Sequence, residues 1–579
     1  MPVHDLLAGV EEAPPEVLLV PVDGGHQGHA DSVESVHRAV RATLALLQEW
    51  LGNPAYAESR LVILTRGVRD GSDELVGETV AGLVRSAQSE HPDRIVLLDA
   101  PSDTALTLPS LRAAVACGEP EVAVEGDQVW VRRLARLHPS ETPAEVPLSG
   151  SVLVTGGTGG LGRVVARHLV ERGAEHVVLV SRSGREAEGA AELESELAGL
   201  GARVTLAACD VADRAGLEEL IRGIEPPLTG VVHTAGVLDD GTVESLTADQ
   251  LARVLRPKAE AAWHLHELTR GLDLTLFALY SSAAAVFGNP GQGNYAAANA
   301  FLDALARHRR TQGLPALSLA WGLWAESSGM TTGLGETDLG RLSRYGVRAF
   351  SNAEGLALLD AALGSGEAAV LAARIDLRAV AAQEQVPALF KTLVPPRRRW
   401  AGSGEETRLP LARRLAGMAE EERERFLLDV VLAHTAAVLG LPAGGVDPEN
   451  PFKSLGFDSL LAVELRNRLS ADIAERLPST LVFDHPTPGK LTAYLRSRLD
   501  LTQAEPETPS YEPLLRELDR LESALAAVEE DGPGRAEVAR RLRYLAAQVS
   551  PADAETSTPF DVDSASADDI FDFLDKEFG

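Results

Sequence analysis

Residues 151–173, SVLVTGGTGGLGRVVARHLVERG, constrain the fold more than any other stretch of the chain. They read in succession as a buried strand, a glycine-rich turn and an amphipathic helix, with Val152, Leu153 and Val154 as the apolar run of the strand. Alone, this pattern also fits a plain flexible turn. In the context described below it predicts a dinucleotide pocket, because the glycines let the backbone approach a pyrophosphate that faces the N–H groups of the helix N-terminus. The expected contacts are Thr155, Gly156, Thr158, Gly159, Gly160, Leu161 and Gly162.

Length and charge limit the possible functions. At 579 residues the chain exceeds one hydrophobic core, and roughly 150 residues per domain predict three or four units. The net charge of −31 argues against nucleic-acid or membrane-surface partners. The N-terminus has no signal-peptide pattern, and no run of 18 apolar residues occurs, so we expect a cytoplasmic protein. The only cysteines, Cys117 and Cys209, lack zinc-type spacing, so we expect buried thiols and no metal site.

The region before residue 148 alternates apolar runs with helical patterns, which indicates an α/β layer structure. The expected strands are 16–23, 60–67 and 94–100, followed by a hairpin over 121–134. A helix is expected over 32–51. The glycine pair Gly24-Gly25 is not continued by a third glycine opening a helix, so a structural sheet without cofactor is favoured here.

After residue 150 the alternation continues. Six further strands are expected at 176–181, 203–210, 230–236, 274–282, 316–322 and 370–375. With the strand before the glycine turn they predict a doubly wound parallel sheet.

After this sheet the amino-acid composition becomes that of linkers and helical segments. The expected regions are a structural subdomain at 1–148, a cofactor-binding catalytic subdomain at 149–400, a linker at 401–421, an all-α four-helix unit at 422–499, and dimerising helices with an acidic end at 500–579.

The residue that ends the second strand of this sheet indicates the cofactor. An NAD-preferring pocket would place an acid there, whereas this chain has Ser181 followed by Arg182. An arginine favours the 2′-phosphate of NADPH, the alternative being a solvated surface side chain. Further contacts are expected at the ends of strands three and four, at Asp210, Val211, Thr234, Ala235 and Gly236.

Four polar residues are spaced for a reduction. Tyr295 is the expected proton donor, and Asn299 lies four residues on, hence on the same helical face. Ser282 ends the fifth strand, at the edge where open sheets bind substrates. The charge of Lys258 could lower the tyrosine pKa and so make the phenol a usable acid. Singly, a buried tyrosine is more often a core residue, but the four residues together favour catalysis.

These motifs carry a family resemblance. The sequences TGGTGGLG, SRSG, CDVAD, HTAGVLDD and SSAAAVFGNPGQGNYAAANAF closely resemble the ketoreductase domain of modular type I polyketide synthases, a short-chain dehydrogenase branch, over about residues 16–395. The resemblance implies NADPH-dependent reduction of a carrier-bound β-ketoacyl thioester to the β-hydroxyacyl thioester. In the wider superfamily the catalytic lysine lies four residues after the tyrosine. Here Asn299 occupies that position and the lysine is Lys258, an exchange typical of the polyketide and fatty-acid branch. Structural halves of this family usually begin with further strands, so we expect Met1 to lie inside the subdomain.

A second resemblance concerns the helical unit. The segment GFDSL places Ser459 at a helix start, where alone it would be an N-cap. With LVFDHPTP downstream, the unit resembles the acyl carrier domains of the same synthases. This implies that Ser459 carries 4′-phosphopantetheine, attached by a phosphopantetheinyl transferase, and that upstream ketosynthase and acyltransferase domains are partners.

The last 80 residues predict protein contacts. Apolar residues with heptad-like spacing at 514–528 and 538–549 indicate dimer seams, the alternative being helices folded back on the carrier. The last 29 residues hold nine acids and one lysine, with apolar residues at helical spacing. This layout is similar to C-terminal docking domains, which implies binding to the N-terminal docking helix of a downstream synthase subunit.

The resemblance also implies a stereochemical outcome. Leu238-Asp239-Asp240 marks ketoreductases of the B type, which yield the D-configured hydroxyl, and the bland alternative is a solvated acidic turn. Phe287 stands where the opposite class often has tryptophan, and Pro290 favours the subset that accepts an epimerised α-methyl group.

Two other functions stay open. A non-catalytic carrier and docking scaffold with a relic reductase is opposed by the intact catalytic set, and a free dehydrogenase of small alcohols is opposed by the attached carrier.

Overall fold

The computed structural model describes residues 14–22, 33–69, 74–102, 106–138, 146–325, 346–383, 386–394, 411–416, 418–441, 444–473, 475–478 and 480–499. The heptad segments and the acidic end predicted after residue 500 lie outside these ranges. Within them, every helix falls short of the length or apolar character needed to span a lipid bilayer.

The first region is a five-stranded sheet in chain order, as the apolar runs predict. Its strands are β1 (Val17–Pro21), β2 (Arg60–Arg66), β3 (Ile95–Ala100), β4 (Glu121–Glu125) and β5 (Gln128–Val131). Its helices are α1 (Val33–Gly52), α2 (Glu74–Glu90) and α3 (Leu108–Ala116). The first four strands are parallel, and β4 and β5 form the predicted antiparallel hairpin, which turns at Gly126 with φ of 61°.

The second region contains the predicted doubly wound sheet. Its strands are β6 (Ser151–Thr155), β7 (His176–Ser181), β8 (Arg203–Ala208), β9 (Leu228–His233), β10 (Leu276–Ser282), β11 (Leu317–Trp321) and β13 (Ala369–Ala372). The spatial order is β13-β11-β10-β9-β6-β7-β8, with every pair parallel. The helices between them are α4 (Gly160–Glu171), α5 (Ala190–Gly199), α6 (Arg214–Arg222), α7 (Ala248–Leu255), α8 (Ala261–Thr269), α9 (Ala283–Phe287), α10 (Gly293–Thr311) and α11 (Asn352–Leu363), with α12 (Leu377–Ala382) after the sheet.

One predicted strand is divided. The run 370–375 leaves the seven-stranded sheet after Ala372, whose carbonyl accepts a hydrogen bond from Gly322 N–H at 2.9 Å. The next residues form β14 (Arg374–Ile375), which pairs antiparallel with β12 (Val347–Arg348). A single apolar run therefore serves two sheets.

The two halves meet where α2 crosses α10. A Cβ built on Gly82 would lie 2.5 Å from the carbonyl oxygen of Ala296, so the helices approach too closely for any side chain there. Gly288 has φ of 70°, and a Cβ there would lie 2.2 Å from the carbonyl oxygen of Arg85. The buried Arg85 side chain donates to the carbonyl of Ala285 at 2.9 Å. The first half therefore fixes the helix that holds the predicted proton donor.

The C-terminal described region is helical. It contains α13 (Leu411–Ala416), α14 (Glu420–Leu439), α15 (Ser459–Ile473), α16 (Leu481–Asp484) and α17 (Pro488–Arg498). Leu465, Leu491 and Leu495 are fully buried in its core. The predicted linker 401–421 needs a correction here, because Leu411 and Leu415 of α13 are buried in the same core.

The cysteines also differ from the expectation. Cys117 is exposed and caps the end of α3, donating its Sγ–H to the carbonyl of Ala114 at 3.0 Å. Cys209 is half-buried just after β8. The prediction of two buried thiols is therefore wrong, because at the end of α3 it is Ala114 that faces the core.

Candidate active site

The glycine-rich turn joins β6 to α4 and leaves a backbone cradle. Gly156 has φ of 66°, and a Cβ built there would lie 2.9 Å from the Thr234 hydroxyl. A Cβ on Gly162 would lie 2.1 Å from the Gly156 carbonyl. The N-cap residue, Gly159, has no side chain to accept from the first N–H groups of α4. These groups are available to an anion, so the cradle fits the phosphates of a dinucleotide.

Of the other predicted cofactor contacts, Thr234 and Ala235 lie against Gly156 of the cradle. Arg182 is exposed, and none of the described residues forms an ion pair with it. The Asp210 carboxylate accepts from Arg256 Nη2 at 2.9 Å and from Ala212 N–H at 3.1 Å. The Thr234 hydroxyl donates to the Thr155 carbonyl at 2.7 Å. The Thr158 carbonyl accepts a hydrogen bond from Arg163, and the Ser181 hydroxyl accepts one from Gly184 N–H. The remaining predicted contacts are apolar: Leu161 and Ala235 pack on the hydrophobic core, and Val211 is buried.

The four predicted catalytic residues meet where β10 ends. Ser282 is the last residue of β10, and its hydroxyl accepts from Ala284 N–H at 3.2 Å, which caps α9. The side chains of Ser282 and Asn299 lie beside the Tyr295 phenol, and both act to lower its pKa. Asn299 Nδ2 also donates to the Tyr295 carbonyl at 2.8 Å. Lys258 Nζ lies 5.5 Å from the centre of the Tyr295 ring.

Lys258 reaches the site from a short π-helical turn, Arg256–Glu260, between α7 and α8. Its side chain is 2% exposed, and Nζ donates to the Tyr280 carbonyl at 2.9 Å. Gly236 gives the chain room, since a Cβ there would lie 2.7 Å from Lys258 Cε. Burial lowers the pKa of Lys258 to about 7, although the charge of Asp303 opposes the shift. The amine can therefore exchange a proton near neutral pH.

The acidity of Tyr295 differs from the expectation. Burial raises the pKa of the phenol above its ordinary value, and the polar side chains of Ser282 and Asn299 only partly offset this. The predicted lowering by Lys258 is therefore not the net result, because removal of the phenol from water outweighs its neighbours. Tyr295 stays protonated at neutral pH and can donate.

The segment Leu238-Asp239-Asp240 lines one side of this site and is not a merely solvated turn. Asp239 forms an ion pair with Arg253 of α7. Asp240 accepts from Gln292 Nε2 at 2.8 Å, which links it to the loop before α10. Leu238 remains exposed. The two acids therefore hold the segment between α7 and α10.

The other two stereochemical candidates lie in the loop between α9 and α10. Phe287 stacks on Phe390, with ring centres 5.6 Å apart and 22° between the planes. Pro290 precedes Gly291, whose carbonyl accepts from Gly241 N–H at 2.8 Å. Phe287 therefore anchors the start of the loop, while its end pairs with the acidic segment.

A buried carboxylate without a sequence signal supports both segments. Glu90, at the end of α2, is fully buried and accepts from Gly291 N–H at 2.9 Å and Val243 N–H at 2.7 Å. Burial raises the pKa of its carboxyl to about 7, against the lowering by these two hydrogen bonds. Its contacts lie more than 150 residues away along the chain, so no local pattern indicates them.

Ser459 is the first residue of α15 and is exposed. The helix is capped by its neighbour, since Asp458 Oδ1 accepts from Leu461 N–H at 2.8 Å. The reading of Ser459 as an N-cap is therefore wrong, and its hydroxyl remains available at the positive end of a helix. No group of described residues has the composition of a metal site.

Comparison with known families agrees with this arrangement. Four family profiles match successive parts of the chain: "Polyketide synthase extender module SpnB, Rossmann fold domain" at 2–134, "KR domain" at 150–326, "Phosphopantetheine attachment site" at 429–495 and "Erythronolide synthase, docking" at 506–572. A solved structure described as an A1-type ketoreductase is 40% identical, with a TM-score of 0.58, and the match covers 68% of this chain and 85% of that one. This chain belongs to the modular polyketide synthases.

Curated relatives extend the match along the chain. Polyketide synthase GfsB of Streptomyces halstedii is 48% identical over 98% of this chain. The pikromycin polyketide synthase component PikAII of Streptomyces venezuelae is 49% identical over 76% of it. The chain spans only 10% and 12% of the length of these two relatives. It therefore carries a ketoreductase domain, a phosphopantetheine carrier domain and a docking domain of such a synthase.

Proposed function

We propose that this chain reduces a β-ketoacyl thioester, held on its own phosphopantetheine arm, to the β-hydroxyacyl thioester with NADPH. The observation that supports this most is the meeting of Ser282, Tyr295, Asn299 and Lys258 at the carboxyl edge of the sheet that also holds the glycine cradle. A relic reductase would have no reason to keep all four groups in one place.

Reduction adds a hydride to the carbonyl carbon and a proton to its oxygen. NADPH supplies the hydride when it is bound. The oxygen gains negative charge during the transfer, and Tyr295, kept protonated by burial, donates the phenolic proton to it. The Ser282 hydroxyl hydrogen-bonds the same oxygen and stabilises its charge.

The phenol must then regain its proton. Lys258 is suited to this step because burial brings the pKa of its amine to about 7. Asn299 Oδ1 is buried and accepts no hydrogen bond from the described residues, so it can accept one from water between the amine and the phenol. Asn299 and Lys258 therefore act as a relay behind Tyr295.

The preference for NADPH over NADH rests on Arg182. Its exposed guanidinium has no acidic partner among the described residues and follows the second strand, where the adenosine ribose lies in doubly wound folds. A guanidinium pairs bidentately with a phosphate. The acid that would bind a free 2′-hydroxyl is missing from this position.

The stereochemical proposal is the D-configured hydroxyl of B-type ketoreductases. Asp239 and Asp240 fix the segment beside the site, so the pantetheine arm can enter from one side and presents one face of the ketone to the hydride. Pro290 favours substrates with an epimerised α-methyl group.

The remaining partners follow from the carrier and docking domains. A phosphopantetheinyl transferase loads the arm on Ser459, and upstream ketosynthase and acyltransferase domains deliver the β-ketoacyl chain. The heptad segments at 514–528 and 538–549 form a homodimer, and the acidic C-terminal end binds a basic N-terminal docking helix of the next subunit.

The experiment is direct. The phosphopantetheinylated protein is incubated with a panel of β-ketoacyl thioesters and NADPH, and the products are separated by chiral chromatography. We expect D-β-hydroxyacyl products, with α-methyl substrates reduced best in the epimerised form. A mainly L-configured product would contradict the stereochemical assignment, and the absence of any reduced product would contradict the function.

A further inference from the structure

The structure contains a contact between the carrier domain and the cofactor-free half of the reductase. Helix α15 of the carrier lies against the C-terminal end of α2. Arg466 Nη2 donates to the Glu90 carbonyl, and Asn467 Nδ2 donates to the same oxygen at 3.3 Å. Arg466 is 5% exposed, although it belongs to a helix whose other face covers the carrier core.

The chemistry of the two surfaces is complementary. The last carbonyls of a helix lack intrahelical partners and form the negative end of its dipole, which favours a cation. A guanidinium with several donors satisfies such carbonyls well. The Glu244 and Glu90 carboxylates add negative charge beside Arg466 and raise the pKa of its guanidinium, although burial lowers it more. The contact therefore joins a buried arginine to a helix end that needs a cation.

The contact also brings the carrier serine towards the active site. Leu460, which follows Ser459, lies against the loop before α10, and a Cβ built on Gly291 would be 3.6 Å from its Cδ1. Gly291 is four residues before Tyr295. The exposed Ser459 hydroxyl is thus held beside the loop that leads into the catalytic helix.

One residue connects the carrier to the walls of the site. The Glu90 carbonyl accepts a hydrogen bond from Arg466, while the Glu90 carboxylate accepts hydrogen bonds from the N–H groups of Gly291 and Val243. These two N–H groups belong to the loop before α10 and to the segment that follows Asp239 and Asp240. A carrier seated on α2 therefore contacts the residue that fixes both segments.

We propose that the C-terminal end of α2 is the docking site from which the carrier presents its β-ketoacyl chain, with Arg466 and Asn467 as its anchors. The cofactor-free half then serves as the carrier receptor for the reduction step. This proposal rests on the proposed function, in which the carrier-held chain is the substrate.

The test compares tethered and free substrates in the full-length protein. A β-ketoacyl-pantetheine arm is loaded on Ser459 from the corresponding coenzyme A thioester, and single-turnover reduction is followed by mass spectrometry. The variant is Arg466→Ala with Asn467→Ala. The matched control is Arg468→Ala, on the same helix, where the arginine pairs with Glu464 within the carrier.

We expect the double variant to reduce the tethered chain at least about tenfold more slowly, the lower end of what a charged hydrogen bond contributes. Reduction of a free N-acetylcysteamine thioester and the rate of arm loading should match wild type, which shows that both domains are folded. Arg466→Lys should recover part of the rate because it keeps the charge. The control should behave as wild type.

Hydrogen exchange provides a readout independent of activity. Amides of residues 86–95 should exchange faster in the double variant than in wild type or in Arg468→Ala, because the carrier no longer covers this helix end. If the double variant reduces the tethered chain at the wild-type rate, the proposed docking site is wrong. It is also wrong if the double variant reduces the chain more slowly but its amides at 86–95 do not exchange faster. Failure of wild type to reduce the free thioester would instead refute the proposed function.

Discussion

Replacing Lys258 with methionine should change how the stability of the reductase depends on pH. The ordinary lysine pKa is 10.5, and burial lowers the pKa of Lys258 to about 7. Between these values the unfolded chain holds one proton more than the folded chain, so the free energy of unfolding of wild type rises with pH. The rise amounts to about 4 kcal/mol between pH 6 and pH 10. Lys258→Met removes it, because methionine fills similar space without a charge.

The assay is the thermal unfolding midpoint of both proteins across this pH range. Other titrating groups are common to the two proteins, so the difference between their midpoints isolates Lys258. At pH 6 wild type buries a charged amine, which the methionine variant lacks. By pH 10 the buried amine of wild type is neutral. We expect the advantage of the variant to shrink by about 10 °C over this range.

A control places the same substitution at the surface. Lys391 is 52% exposed and pairs with Glu119. Lys391→Met should leave the shape of the pH profile close to that of wild type, since exposed pairs contribute little. If Lys258→Met also leaves the profile unchanged, the amine is not deprotonated near pH 7, and its role in the proton relay is refuted.

Three further predictions test separate parts of the chain. Arg182→Glu should weaken NADPH binding by at least about tenfold while changing NADH binding little, because only NADPH carries the phosphate; equal losses measured by fluorescence titration would make Arg182 a solvated side chain. Ser459→Ala should abolish the mass gain produced by a phosphopantetheinyl transferase and coenzyme A, with free thioesters still reduced; a persistent gain would place the arm elsewhere. Removal of the residues after Leu501 should convert a dimer to a monomer in light scattering, and a monomeric full-length chain would contradict the heptad assignment.

The sheet and the glycine turn were predictable because both depend on local pattern. Apolar runs such as 176–181 are long enough to form central strands, and the turn needs glycine where Gly156 takes a positive φ. The four candidate catalytic residues could be named because Ser282 ends a recognisable strand, while Lys258, Tyr295 and Asn299 fall in helical patterns. The division of the run 370–375 was missed, because apolar pattern does not say which sheet a residue joins.

The features that could not be predicted depend on contacts between residues far apart in the sequence. Glu90 supports Gly291 and Val243, and Arg466 reaches Glu90 across 376 residues. Nothing in the sequence around these residues indicates such pairs. The pKa of Tyr295 was also misjudged, because the effect of burial depends on tertiary packing and outweighs the neighbouring groups.

The central claim is that Tyr295 donates the proton for reduction of the ketone, and Tyr295→Phe tests it most directly. The phenyl ring keeps the packing of α10 and leaves the glycine cradle untouched. The measurement is the single-turnover reduction rate of a β-ketoacyl thioester at saturating NADPH, with NADPH affinity determined on the same variant. We expect the rate to fall by about 10²- to 10⁴-fold with NADPH affinity nearly unchanged. A rate within twofold of wild type would contradict the account.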